Sequence, residues 1–440
     1  MTKNPGAVAF QKLSHSLLRA EKMQSNLKKI AGNAGALLAI QIANYLLPFV
    51  LAPYLTRTLG ITEYGIVALG LSIIQISGII TDYGFSISAT YMVAKATSKP
   101  DINYIAGAVY TCKAILLIPV IIFIYSFPLA ANKYIEHKEY FWLISLSILG
   151  IAFQPTWLFQ GLEKMKLITL YTVFSRVLLI ASTIIFVKEQ GDVWIFAICN
   201  GLSQIAATAI SIYSLKKIGY SPKWKSWNYA FTTFRESTEY FWSRAAVGTY
   251  GAGAIFVLGL ISTPIQVAYY SVAEQFYRGA LALYSPLTQA LYPHMAKHCD
   301  LSIYRKIFTL VLLSGALGIT TGILLGKPLI SFIFGETYTS AYPVLVIFMI
   351  SLGAAVPSIM LGYPLLGALG NSKAANYSVM YAGLLQVALI IFCASKGFTQ
   401  AINIVTTVLI SEIFAFSYRA YFAKRIFNQF KLEARHAKAN

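Results

Sequence analysis

Charge is scarce in this chain, and negative charge is scarcer still. Only 12% of the 440 residues are charged, about half the share found in soluble proteins, and 16 acids face 35 bases. With 57% hydrophobic residues and a mean hydropathy of +0.64, a soluble globular domain is excluded. Cysteine is nearly absent: Cys112, Cys199, Cys299 and Cys393 stand alone without a Cys-x-x-Cys. That argues against a zinc ribbon or a disulfide framework. No phosphate-binding loop is present, because Gly322-Ile-Leu-Leu-Gly326-Lys327-Pro328 is one residue short and ends in proline. His294 and His298 have a metal-like spacing and Cys299 follows, but no second ligand cluster accompanies them, so neither a metal nor a cofactor is expected. No polar stretch is long enough to house catalysis, and an enzyme is not expected.

What the chain does have is long apolar runs. Segments of about twenty apolar residues match the thickness of a bilayer core when helical. Twelve are read, at roughly 30–53, 64–90, 103–127, 139–160, 166–188, 192–215, 238–262, 266–294, 305–333, 340–366, 373–396 and 399–422. The expected fold is therefore all-α and polytopic, with about twelve transmembrane helices. Pro48, Pro53, Pro119, Pro155, Pro286, Pro357 and Pro364 fall within or at the ends of spans, where a bundle can resatisfy the carbonyls they free.

The net charge of +19 would ordinarily raise nucleic acid as a partner. Here the bases sit in tails and short loops instead. With the N-terminus inside, about 24 Lys and Arg fall on one side of the membrane against 6 on the other, a strong positive-inside bias. Both termini are expected in the cytoplasm and no cleavable leader is expected. The longest connection carries Trp224, Trp227, Lys223 and Lys225, suited to a membrane interface. It divides the chain into a tail at 1–29, a six-helix lobe at 30–215, a cytoplasmic linker at 216–237, a second lobe at 238–422 and a tail at 423–440. A faint echo between Tyr64-Gly65-Ile66-Val67-Ala68 and Tyr269-Tyr270-Ser271-Val272-Ala273 fits a repeated half, common in transporters with the path between the halves.

Several spans carry a charge in mid-helix. Lys113, Arg176, Arg244 and Arg278 cost at least ~2.5 kcal/mol each if they face lipid at the bilayer centre. They are expected to line a wet cavity for a negatively charged cargo. The alternative is that each pairs with a buried acid and fixes packing; Glu274, four residues before Arg278, is spaced for such a pair. Asp82, Glu274 and Glu412 are the embedded acids, and a buried carboxylate can bind and release H+ or hold Na+. Asp82, beside Gly84, also suits a helix-end role. Among 29 tyrosines, Tyr83, Tyr270 and Tyr277 lie near these charges, where a ring can stack on a sugar and its hydroxyl can bond to it. Gly248, Gly251 and Gly253, and later Gly362, Gly367 and Gly370, permit close helix contact or local unwinding.

The stretch Leu47-Pro48-Phe49-Val50-Leu51-Ala52-Pro53-Tyr54-Leu55-Thr56-Arg57-Thr58-Leu59-Gly60-Ile61-Thr62-Glu63-Tyr64-Gly65 resembles the opening of the polysaccharide-biosynthesis exporter family. So do Thr81-Asp82-Tyr83-Gly84-Phe85-Ser86 with Ala89 and Ala94-Lys95, and, in the second half, Val267 through Glu274 and Leu291-Tyr292-Pro293. These are the Wzx-type O-antigen flippases of the multidrug/oligosaccharidyl-lipid/polysaccharide exporter superfamily. The resemblance implies two six-helix lobes around a central cavity and alternating access. It implies an undecaprenyl-diphosphate-linked oligosaccharide moved from the cytoplasmic to the periplasmic leaflet of a bacterial inner membrane, and association with other glycan-assembly membrane proteins. On that reading Arg176, Arg244, Lys113 and Arg278 attract the diphosphate. Two other classes compete. A multidrug or cation exporter of the same superfamily should favour acidic cavity residues, whereas cations dominate here. A membrane glycan polymerase or glycosyltransferase should carry a large external loop, whereas the outer loops here are short. A structural or assembly protein is the remaining class.

Overall fold

The computed structural model describes residues 48–439; within them, the side chains at 243, 244, 246, 247, 249, 250, 427 and 429–439 are outside the described set. The first expected span therefore lies mostly outside the described residues, and the tail at 1–29 wholly so. Every regular element among the described residues is helical. Helix α1 covers 48–82 and is followed by α2 (Phe85–Lys95), α3 (Lys99–Ala130), α4 (Lys138–Ala152), α5 (Thr156–Gly161), α6 (Met165–Phe186) and α7 (Val193–Lys217). The second half contains α8 (Trp227–Gly248), α9 (Ala254–Ile261), α10 (Pro264–His298), α11 (Leu301–Leu324), α12 (Gly326–Phe334), α13 (Tyr342–Met360), α14 (Ser372–Ser395) and α15 (Ala401–Ala439). Among the described residues, 9 helical runs are long and apolar enough to cross a membrane, and the expected spans from the second onward each fall on helix.

Local chemistry sets the breaks. Gly60, with φ +75°, interrupts α1 where the first expected span gives way to the second. Tyr83 (φ +45°) and Gly84 (φ +81°) end it; a left-handed tyrosine is uncommon, and here α8 runs so close that a Cβ on Gly84 would fall 2.7 Å from the Tyr240 Cβ. Helices starting at one end of the bundle carry polar caps. Ser98 accepts from the Asp101 N–H (3.3 Å), Asp300 from Ser302 and Ile303 (2.9 and 3.0 Å), and Asn371 from Ala374 (3.3 Å). Each satisfies amides that the first helical turn leaves without a partner. Wide π-type turns at Thr249–Gly253 and Leu361–Gly367 interrupt the second half.

The helices form two lobes. In the first, α4 packs on α7, α6 on α7, α3 on α4 and α2 on α5. In the second, α15 packs on α13 and α14, and α13 on α10 and α11. The non-helical connection between them is shorter than the expected linker, because α7 continues to Lys217 and α8 begins at Trp227. It is held on the first lobe: Ser221 N–H donates to Asn103 Oδ1 and Lys223 N–H to the Asn103 carbonyl, both at 2.9 Å. Trp224 and Trp227 remain about half or more exposed, as the interfacial reading expects. The opening turns of α8 also sit on the first lobe, with Ser88 Oγ 2.6 Å from Ser237 Oγ and Cys112 Sγ bonded to the Ala230 carbonyl.

At the opposite end the lobes are bolted together. Lys133 Nζ donates to the carbonyls of Leu260 (2.8 Å) and Ser262 (2.6 Å), and the Tyr134 hydroxyl to that of Gly259 (2.6 Å). Arg57 reaches the Phe332 carbonyl, Tyr338 the Thr56 carbonyl, and Gln275 the Tyr64 hydroxyl. Gly65 lies directly beneath the backbone of Pro264.

Candidate functional site

Four ionisable side chains converge inside the second lobe. A cavity of about 350 Å³ lies between α10, α13, α14, α15 and the glycine-rich turn before α9, and Glu274, Arg278, Glu412 and Arg419 line it. Helical spacing puts Tyr270, Glu274, Tyr277, Arg278 and Leu281 of α10 on that side. Arg278 Nη2 lies 2.9 Å from Glu274 Oε1, the i,i+4 pair anticipated from the spacing. The Tyr277 hydroxyl donates to Glu412 Oε1 at 2.9 Å, joining α10 to α15. Tyr270 is fully buried, edge-on to Phe348 at 5.2 Å. Gly251 makes room for the guanidinium, since a Cβ there would fall 2.4 Å from Arg278 Nη2.

Arg419 ties this wall together. Its Nε donates to Ser378 Oγ (2.7 Å) on α14, and its Nη1 to the Ser358 carbonyl (2.8 Å) and hydroxyl (3.1 Å) on α13. An ammonium cannot span both helices with a fixed fork. Arg419→Lys should therefore lower stability by about 2 kcal/mol, the worth of one or two charge-assisted hydrogen bonds. A thermal unfolding midpoint equal to wild type would contradict this.

Of the residues expected to act, Glu274, Arg278, Glu412, Tyr270 and Tyr277 are brought to this cavity. Lys113 and Asp82 are not. They face one another in the first lobe, Nζ 3.8 Å from Oδ1, with Lys113 only 3% exposed. Tyr83 stands next to Asp82 with its ring stacked on Phe234 (4.2 Å) and Phe241 (4.6 Å) of α8, so it is occupied by packing in this state. Arg176 is half-buried on α6 in the first lobe. Arg244 belongs to α8, and its side chain lies outside the described residues. The expected cations thus belong to separate lobes, and the two with described ion pairs each face an acid. Sequence spacing offers Arg419 only as a loose partner for Glu412, seven residues before it, and does not single out Ser358 or Ser378; Arg419 stands three residues from the end of its expected span, whereas the other four bases stand further in.

The chemistry available is the exchange of ionic partners in a nonpolar surrounding. The Arg278 side chain is 46% exposed although paired, so an entering oxyanion can compete with Glu274 for it. The carboxylates can accept a cation or proton when so displaced.

A family model described as "Polysaccharide biosynthesis protein" matches residues 30–298. The chain is 30% identical over 417 residues to a protein of Escherichia coli (strain K12) described as "Putative O-antigen transporter", covering 91% of this chain and 98% of that protein. A Shigella dysenteriae protein of the same description is 27% identical over 68% of this chain and 76% of its own length. Among solved structures, the lipid II flippase MurJ in an inward closed conformation superposes with a TM-score of 0.72 at 14% identity, over 89% of this chain and 87% of that chain. An inward-facing multidrug resistance MATE family transporter gives 0.63 at 13% identity, over 89% and 95%. The fold is that of these transporters. On its sequence, this chain belongs to the polysaccharide biosynthesis protein family.

Proposed function

We propose that this chain is a flippase for a lipid-linked glycan, moving an undecaprenyl-diphosphate-linked oligosaccharide from the cytoplasmic to the periplasmic leaflet of a bacterial inner membrane. The observation that carries the reading is the ionic cavity of Glu274, Arg278, Glu412 and Arg419, set among helices long enough to span the bilayer. The positive-inside bias supports a cytoplasmic linker end; on this reading the bolted end is periplasmic and the state is closed to the outside. O-antigen transporter relatives and a lipid II flippase of like fold support this class of cargo.

In this reading the diphosphate displaces Glu274 from Arg278 and draws on the other intramembrane bases, Arg176, Arg244 and Lys113, as the lobes move. The freed Glu274, with Glu412 and Asp82, takes up H+ or Na+ and so couples transport to a gradient. Tyr270 and Tyr277 face the entering sugars, and Tyr83 joins them only once it leaves its stack. The lobes, 30–215 and 238–422, rock against one another, with the first turns of α8 travelling on the first lobe. No bond is made or broken.

The reading is tested by reconstituting Arg278→Gln and Glu412→Gln with a fluorescent undecaprenyl-diphosphate oligosaccharide and following its exposure at the outer leaflet. Each variant should flip at least about tenfold more slowly, the effect of about 1.4 kcal/mol on a barrier. Wild-type rates in both at normal folded yield would remove the cavity from the mechanism.

A further inference from the structure

A second cavity, of about 380 Å³, lies in the seam between the lobes and is chemically opposite to the first. Ile76, Ile79 and Ile80 of α1 form one side, α8 and α9 form the back, and Val387, Ile390, Ile391 and Ala394 of α14 form the other side. Every lining residue is apolar or glycine. It is open at one edge, where Ile391 is 63% exposed.

The two cavities share two walls. The glycine turn contributes Gly251 to the charged cavity and Gly248 and Gly253 to the apolar one. Helix α14 contributes Val379 and Ala382 to the first, and continues one to three turns on into the second. The glycines keep the partition thin: a Cβ on Gly251 would strike Arg278, and one on Gly248 would fall 2.1 Å from Ile79 Cδ1. An ionic pocket separated by one backbone turn from an apolar slot with an exposed edge is the shape of an amphipathic ligand. A free sugar or nucleotide has no use for the slot, and a phospholipid chain alone has no use for the four ionisable groups.

We infer that the slot between α1, α8–α9 and α14 holds the head-proximal part of the isoprenoid tail of the cargo while its diphosphate occupies the neighbouring ionic cavity. This rests on the flippase reading and adds a tail subsite to it. The slot then tests the carrier's tail, and the ionic cavity tests its head.

The probe is a prenyl diphosphate with a diazirine in its first isoprene units, photolysed with the full chain in proteoliposomes and mapped by peptide mass spectrometry. Label should concentrate on 76–80, 253–257 and 387–394 and be competed by unlabelled undecaprenyl diphosphate but not by phosphatidylglycerol. Val387→Trp, which fills the slot, should cut labelling there by about tenfold; Ala394→Phe repeats the test from the far end should the first variant fold poorly. Competable label confined to other helix faces overturns the tail subsite and leaves the flippase reading standing. Equal labelling of the slot by a diazirine phosphatidylglycerol makes it an ordinary lipid site and overturns the inference. The absence of competable label anywhere overturns both.

Discussion

Gly65→Val should abolish transport while leaving each lobe folded. A Cβ at this position falls 1.9 Å from the Pro264 carbonyl oxygen and 2.6 Å from its carbon. These are backbone atoms at the start of α10 and cannot rotate aside as a side chain would. The approach joins the first lobe to the second, so the strain is relieved by parting the lobes there. Overpacking of this kind costs about 1–3 kcal/mol, which displaces an equilibrium between sealed and open forms by about 5–150-fold. In a Cys299→Ser background, a cysteine introduced at Ala268, fully buried beside this contact, should become reactive to a membrane-impermeant maleimide. Surface glycan should fall with it. If that cysteine stayed protected and glycan display stayed normal, the bolted end would not be a gate.

Asp82→Asn should be the most destabilising change at an ionisable residue of the first lobe. It leaves the nearly inaccessible Lys113 ammonium without its carboxylate, and removing one partner of a buried pair costs about 3–5 kcal/mol. Replacing both, as Asp82→Asn with Lys113→Met, removes the stranded charge together with its partner and should recover most of that loss, since an apolar substitute for a buried pair is often neutral. Unfolding midpoints of the four proteins close the cycle. Flipping assays on the stable double variant then separate two roles. Restored transport assigns the pair to packing, and transport still lost assigns it to the cargo path. A double variant destabilised by the sum of the two single losses would mean that Asp82 and Lys113 act independently.

The helices were legible because membrane spans announce themselves by length and apolar content, a signal that needs no knowledge of partners. The Glu274–Arg278 pair was legible for the same kind of reason: its two members are neighbours on one helix. The Asp82–Lys113 pair joins α1 to α3, and nothing in the local pattern of either helix reports the other. Nearness to the embedded charges marks Tyr83 as a candidate sugar contact, but whether its ring is free depends on Phe234 and Phe241 of α8, a hundred and fifty residues away. Arg419 shows a different failure. The acid nearest it in sequence, Glu412, is two turns along the helix and accepts from Tyr277, while Arg419 donates to serines on two other helices, partners that helical spacing does not report. The apolar slot has little chemical marking: Gly248 and Gly253 signal only close contact or unwinding, and the isoleucines, valines, alanines and phenylalanines that complete it look like any lipid-facing run.

Four of the bolts at the end opposite the linker have one trait in common. Arg57, Lys133, Tyr134 and Tyr338 all fasten onto main-chain oxygens, those of Phe332, Leu260, Ser262, Gly259 and Thr56. An amide carbonyl is supplied by whatever amino acid stands there, so the receiving half of each fastening survives mutational drift. Descendants of one ancestor can exchange nearly all the residues of that rim and still hold the same helices together.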